Sequence, residues 1–379
     1  MKTLSRLDRS PLAQWWWSID RVSLMLLGGI VLIGFVMLLA AGPSAATRLR
    51  IPSEFHFPLR QMLFLGPALI VMIAVSMLSP LQARRVGVFV FAGALLLMAT
   101  ALLAGPEING AKRWLTFGSF SLQPSEFLKP GFIVAAAWML AEGARNPSFP
   151  GAVIAMALYF LCAGLMVAQP DFGQAALITA IWMVMFFIAG WSWLWIVGIG
   201  GVGIGSIMAG YAFSPHLARR IDGFLNPETS ETYQVDKALQ AIQNGGVFGK
   251  GVDGPSVKHQ LPDAHTDFIF AVGAEEFGVL FCLVILGLFA VLVVRLYFRA
   301  SRLNSLFAQC AVCGLTAMVG LQSFINIGVN LRALPAKGMT LPFISYGGSS
   351  LLAMGLSLGL VLALTRTPGA AWRRKEIMP

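Results

Sequence analysis

Charge is scarce in this chain. Only 12% of its 379 residues are Asp, Glu, Lys or Arg, against about 25% in soluble domains. The shortage runs the whole length, which excludes a soluble protein tethered by one anchor. Histidine is rarer still, and His56, His216, His259 and His265 lack the spacing of a zinc site. The four cysteines (Cys162, Cys282, Cys310 and Cys313) all lie in apolar runs. Cys310 and Cys313 have C-x-x-C spacing with no histidine near them in sequence, so they are read as small packing residues rather than a redox or metal pair. A nucleotide-binding Gly-rich phosphate loop is missing too, which leaves no sign of an ATP-driven pump. Acids are outnumbered by bases, 17 to 27, for a net charge of +10. In a soluble protein that balance would suggest nucleic acid. Here the basic residues flank apolar runs and orient them, so no nucleic-acid partner is expected.

What is present is apolar: 57% of residues are hydrophobic and the mean hydropathy is +0.76. A hydrocarbon core about 30 Å thick needs roughly 20 such residues per helix. Ten runs meet this, at about 22–42, 61–79, 86–105, 125–142, 151–168, 172–190, 192–213, 267–294, 305–326 and 342–364. The expected fold is an all-α polytopic membrane protein forming one domain over residues 1–379. The apolar run Val22–Ala41 is longer than the roughly 7–15 residues of a signal-peptide core. With Trp15, Trp16 and Trp17 before it as an interfacial belt, it reads as a retained first span.

An even number of spans puts both termini on one side. Short loops carrying Arg84, Arg85, Arg145, Arg295, Arg299 and Arg302, with the basic chain ends, assign that side to the cytoplasm. Residues 1–21 and 365–379 are then the cytoplasmic ends. The opposite side carries nearly as many cations, among them Arg48, Arg50, Lys112, Arg113, Arg219, Arg220, Lys237, Lys250, Lys258, Arg332 and Lys337. An anionic ligand on that face would account for them. Three segments there are dense in glycine, aromatic and charged residues and are expected to be ordered: 106–124, the long loop 214–266 between the seventh and eighth spans, and 327–349.

These segments hold NGAKRWL (109–115), QPSEFLK (123–129), QPDFG (169–173), LPDAHTDFIFAVGAEEFG (261–278), NIGV (326–329) and LPFISYGGSS (341–350). Together they resemble the SEDS family (shape, elongation, division and sporulation), in order and nearly end to end. The lead-in Lys337-Gly338-Met339-Thr340 is similar to that of the family's cell-division branch. The resemblance implies a peptidoglycan glycosyltransferase of the inner membrane, concentrated at the division site, that polymerises lipid II on the outer face. It also implies a class B penicillin-binding protein transpeptidase as partner, with other division proteins of the membrane. One departure is Pro262-Asp263-Ala264-His265-Thr266-Asp267 where many relatives have Pro-Glu-x-His-Thr-Asp. It shortens the first acid and leaves Asp267 in register.

Joining a sugar hydroxyl to an anomeric carbon that already bears pyrophosphate needs one general base, with cations for the leaving group. The resemblance points to Asp267 as that base. Its position before an apolar run also suits a helix N-cap. Trp114 is a candidate for sugar stacking or loop ordering, against an interfacial belt residue. Lys112 and Arg113 could meet pyrophosphate or lipid headgroups. Glu126 and Lys129, three apart, share a helix face and can pair, either structurally or lining a cavity. Asp171 fits a turn with Pro170 and Gly173. Arg219, Arg220, Lys250 and Lys258 could hold lipid phosphate as a set, though each alone reads as a solvated charge. His265, Ser345 and Ser349 are further candidate substrate contacts, with the two serines in loop shaping or substrate contact rather than covalent catalysis. A divalent cation, magnesium or manganese, could bridge pyrophosphate and a carboxylate, but no dedicated cage is evident. Two other functions fit a polytopic chain: a lipid II flippase, which would show two access sides and often internal repeats, and a division scaffold without catalysis.

Overall fold

The apolar runs become helices because a lipid-embedded backbone can satisfy its polar groups only internally. The computed structural model describes residues 10–108, 110–118, 120–213, 218, 222, 233–251, 256–335 and 338–367. A short helix, α1 (Pro11–Ser18), is followed by α2 (Arg21–Arg48), α3 (His56–Ser76) and α4 (Pro80–Ala104). A hairpin of β1 (Leu115–Phe117) and β2 (Phe120–Leu122) leads into α5 (Pro124–Arg145), α6 (Gly151–Ala168), α7 (Phe172–Ile188) and α8 (Trp193–Phe213). Then come α9 (Tyr233–Gly245), α10 (Ile269–Ala300), α11 (Leu306–Asn330) and α12 (Gly348–Leu364). Each expected span falls on one of these helices. Among the described residues, seven are long and apolar enough to cross a membrane: α2 to α6, α10 and α11. Two more, α7 and α12, are apolar but 17 residues long.

Burial separates a centre from a rim. The apolar windows of α5 and α11 are 61% and 78% buried, whereas those of α4, α6 and α10 are 28% buried and present most of their surface outward. α12 is buried on nearly every side. It lies against α3, where a Cβ at Gly355 or Gly359 would meet the Ala68 or Met72 backbone at 2.3 or 2.8 Å. This is the close approach that small residues four apart allow in membranes.

Both ends of the described chain lie at one end of the bundle. The Thr367 N–H donates to the Ser18 carbonyl at 3.0 Å, and Arg299 donates to the Thr365 carbonyl at 2.8 Å. The capping box of α4, Ser79 with Gln82 and Pro80 at the first helical position, is at this end as well, since Arg366 donates to the Leu78 carbonyl. The motif-bearing segments gather at the opposite, loop end.

Several boundaries differ from the sequence reading, and the expected tenth span, 342–364, becomes helix only at Gly348 because the residues before it form a non-helical segment. α2 continues to Arg48 through Pro43, six residues past the expected end. The expected eighth span, 267–294, is a 32-residue helix broken at Gly278, whose φ of 85° and ψ of 174° are non-helical. A break frees backbone groups that a membrane interior cannot hydrate, and the loop after α9 supplies partners. Lys250 and Gly251 N–H groups donate to the Glu275 and Glu276 carbonyls at 2.9 and 3.1 Å. Val279 and Leu280 N–H groups donate to Gly246 and Val247 at 3.0 and 3.3 Å. Residues 269–276, before the break, are buried in protein; Val279, Leu280, Leu283 and Val284, after it, face outward.

Candidate active site

Asp267 lies in the turn 262–268, one residue before the N-cap of α10, which is Phe268. Asn330 serves this helix end as well: the Ala271 N–H, third in the helix, donates to Asn330 Oδ1 at 3.1 Å. The same turn is closed by Thr266 and Phe268 N–H groups on the Asp263 carbonyl at 3.0 and 3.2 Å, with Asp263 at φ 50°. Aspartate tolerates that region better than most residues. The departure from the family motif thus falls on an exposed turn residue.

The backbone at Asp267 is clamped from α11. Asn326 Nδ2 and Asn330 Nδ2 both donate to the Asp267 carbonyl at 2.9 Å. Asn326 Nδ2 also reaches the Met339 carbonyl at 2.7 Å, tying residue 267 to the non-helical strap 338–347. Ser345 fastens the same two segments: its Oγ accepts from Leu341 N at 2.8 Å and donates to the Thr266 carbonyl at 2.6 Å. Tyr346 N donates to the His265 carbonyl at 2.9 Å, and Gln61 Nε2 holds the Ser345 carbonyl at 3.2 Å. The strap passes Gly34 so closely that a Cβ there would lie 2.5 Å from the Phe343 oxygen. Gly34 is about 20 Å along α2 from its start, at about 1.5 Å per residue, so the strap is irregular backbone at membrane depth, shielded by protein.

Gly338 borders the carboxylate. A Cβ at that position would sit 3.3 Å from Asp267 Oδ2. Gly338→Val is expected to displace the carboxylate and lower polymerisation of labelled lipid II by about 10²-fold, the cost of an ångström-scale misplacement. Unfolding of the variant should stay close to wild type. Lys337, the preceding cation, lies outside the described residues.

His265 packs between Phe57 and Tyr346, with ring centroids 4.1 and 5.5 Å away, and its buried Nδ1 has no hydrogen-bond partner among the described residues. Burial pushes the imidazole down to about 4. The unfolded side chain takes up its proton near 6.5. Between those pH values the unfolded chain binds the extra proton, so acidification from about 6.5 to 4 destabilises the native state, by up to about 3 kcal/mol. His265→Phe keeps the ring packing and removes the titration. Its melting temperature is expected to fall less between pH 7 and pH 5 than that of wild type.

Glu126 and Lys129 form a pair inside the bundle rather than beside open space, at 4% and 0% exposure. Lys129 Nζ donates to Glu126 Oε1 and Oε2 at 3.1 and 3.0 Å, to Gln174 Oε1 at 2.9 Å and to Gln322 Oε1 at 3.3 Å. Gln174 Nε2 returns to Glu126 at 3.1 Å. Gln322 Nε2 continues to the Thr340 carbonyl at 3.0 Å, and Thr340 Oγ1 meets Ser350 Oγ at 2.7 Å. One polar network therefore joins α5, α7 and α11 to the strap beside Asp267.

The remaining candidates separate. Arg113 donates to the Gln169 and Pro170 carbonyls and lies 3.9 Å from Asp171, so it secures the turn before α7. Lys112 and Trp114, its neighbours, are half-buried. Ser349 joins the hairpin to α12, accepting from Gln123 N and donating to the Ser121 carbonyl, both at 3.1 Å. Lys258 is buried against Glu276, and Lys250 is docked at the helix break through its backbone. Arg219 and Arg220 lie outside the described residues. Among those described, no three His, Cys, Asp or Glu side chains group as metal ligands would.

Sequence reasoning missed three features. Glu275 accepts from Val257 N, Lys258 N and Ser256 Oγ at 2.7, 2.9 and 3.0 Å, and with Glu276 it pins the loop that leads to the turn bearing Asp267. Two consecutive acids within an apolar run were the available signal. The amide clamp of Asn326 and Asn330 carried only the weaker signal of polar residues four apart. Arg60 is a further half-buried cation at the loop end, close enough to Tyr346 to act on its hydroxyl.

Residues 20–368 match the family model described as cell cycle protein, of FtsW, RodA and SpoVE. The chain belongs to the SEDS family. This SEDS chain is 46% identical over 367 residues to the probable peptidoglycan glycosyltransferase FtsW of Caulobacter vibrioides, covering 97% of this chain and 94% of that one. It is 38% identical to the corresponding protein of Thiomicrospira cyclica, over 91% of each. Both carry the name of the cell-division branch that the stretch 337–340 resembles. Among solved structures, the SEDS chain is similar to rod shape determining protein RodA of Thermus thermophilus, at 30% identity and TM-score 0.68, over 92% of this chain and 97% of that one. It is also similar, at 28% identity and TM-score 0.76, to a chain in a structure described as coordination of polymerization and crosslinking by a peptidoglycan synthase complex. That match covers 95% of this chain and 99% of the other.

Proposed function

We propose that this multi-pass membrane protein, a peptidoglycan glycosyltransferase by family, polymerises lipid II into the glycan strands of the septum with Asp267 as general base. The observation that carries the residue assignment is the clamp on Asp267. Two asparagine amides and the serine-fastened strap fix the backbone at residues 266 and 267, and Gly338 leaves room beside the carboxylate at the loop end. A preorganised carboxylate whose neighbours bond its backbone suits proton abstraction.

In the proposed reaction, the acceptor sugar hydroxyl attacks the anomeric carbon of the donor and gives its proton to Asp267. The new glycosidic bond forms as the bond to pyrophosphate breaks. The departing undecaprenyl pyrophosphate takes the electron pair, and half-buried cations such as Lys112 and Arg60 offset its charge. Base and leaving group belong on opposite faces of the sugar, as in inverting glycosidases. No step requires a second carboxylate, and the buried Glu126 is committed to Lys129. The loop end then faces outward from the inner membrane and both termini face the cytoplasm. A class B penicillin-binding protein is the proposed partner, and the synthase complex to which the fold is similar supports that pairing.

The test is labelled lipid II offered to proteoliposomes of the full chain, alone and with its class B partner. Glycan chains on a gel are the expected product. Lipid II that crosses the bilayer without forming chains would overturn the enzyme reading and favour a flippase.

A further inference from the structure

At the terminal end, far from Asp267, an open groove of about 520 Å³ runs between α2 and α10. We propose that it binds an anionic phospholipid, with the lipid phosphate among Arg295, Arg299 and Arg302 and an acyl chain along Val291, Val294 and Phe298. The proposal does not depend on the reaction assigned to Asp267.

Helical spacing puts the three arginines on one face over the last two turns of α10 and just beyond it. Their charge is only partly met. Asp20, the N-cap of α2, accepts from Arg295 at 2.9 and 2.6 Å and lies 3.7 Å from Arg299. It also accepts from Ser23 Oγ at 2.9 Å and from Val22 N at 3.2 Å, so its acceptor capacity is used. Arg302 is exposed, and its side chain makes no hydrogen bond or ion pair with the described residues. Among the described residues, three guanidiniums against one carboxylate leave two positive charges at the rim.

Below the rim the groove is apolar. Val291, Val294 and Phe298 are 54%, 58% and 64% exposed, on a helix that crosses the membrane. Ala290 lies about 14 Å along the helix from Arg299, at about 1.5 Å per residue. That is the layout of a lipid: phosphate at the interface, hydrocarbon beneath it. Guanidinium suits phosphate because it donates two parallel hydrogen bonds. Basic pockets between membrane helices attract anionic headgroups. Positive-inside bias explains why basic residues lie at this end. It does not explain an apolar groove leading up to three guanidiniums on one helix face.

The full-length protein, delipidated in mild detergent, would be titrated with equal phosphatidylglycerol and phosphatidylcholine and its bound lipid counted by native mass spectrometry. Phosphatidylglycerol is expected to be retained preferentially. Arg302→Gln should weaken that retention about fivefold, one interfacial basic residue's worth. Arg85→Gln removes the same charge from an exposed site at the same end on α4 and should leave retention unchanged. Ala290→Trp fills the apolar part and should lower retention with every arginine in place, and millimolar inorganic phosphate should not displace the lipid. Equal retention of the two lipids, equal loss in Arg302→Gln and Arg85→Gln, or no retained lipid would each overturn the proposal. So would an Ala290→Trp variant that binds as wild type while phosphate displaces the lipid.

Discussion

Asp267→Asn is expected to lower the initial rate of lipid II polymerisation by about 10²–10⁴-fold, the usual contribution of a positioned general base. The variant leaves the backbone clamp on residue 267 in place. Asn326, Asn330 and the turn hydrogen bonds contact main-chain atoms, and asparagine preserves them. It is isosteric with aspartate and caps helices about as well. Thermal unfolding in the same detergent should therefore match wild type. A purely structural residue at 267 would give a variant that polymerises normally.

Lys129→Met is expected to cost about 3–5 kcal/mol of stability, measured by unfolding in detergent. The ammonium is fully buried and donates to Glu126, Gln174 and Gln322. Its loss leaves the Glu126 carboxylate in the bundle without a cation. The cost comes from that stranded charge, so a second change should offset it: Glu126→Gln with Lys129→Met is expected to recover most of the stability. Activity should fall in the single variant as well, because Gln322 links the pair to Thr340 in the strap beside Asp267.

Composition made the membrane helices legible, since each expected span coincides with a helix. What sequence alone concealed is held by contacts between distant residues. Asn330 lies 63 positions from Asp267, and nothing local marks its amide as a clamp. The break at Gly278 is one glycine among 40, and it shows only when the loop at 246–251 is seen to pair with the freed backbone. Lys258 reads as a solvated loop cation because its partner, Glu276, lies in a helix that reads as an ordinary span. The Glu126 and Lys129 spacing did reveal the pair, but burial and the two glutamines that complete it come from other helices. The motif residues were legible as a set, whereas their division into clamp, joint and carboxylate required the fold.

The dependence of the polymerisation rate on pH, compared between wild type and Asp267→Asn in the same bilayer, tests the central claim most directly. A base must be deprotonated to act. Wild type should lose about tenfold per pH unit below the apparent pKa of Asp267, and the residual rate of Asp267→Asn should lack that limb. An acid limb that persists unchanged in Asp267→Asn, or its absence from wild type, would contradict the assignment of Asp267 as the base.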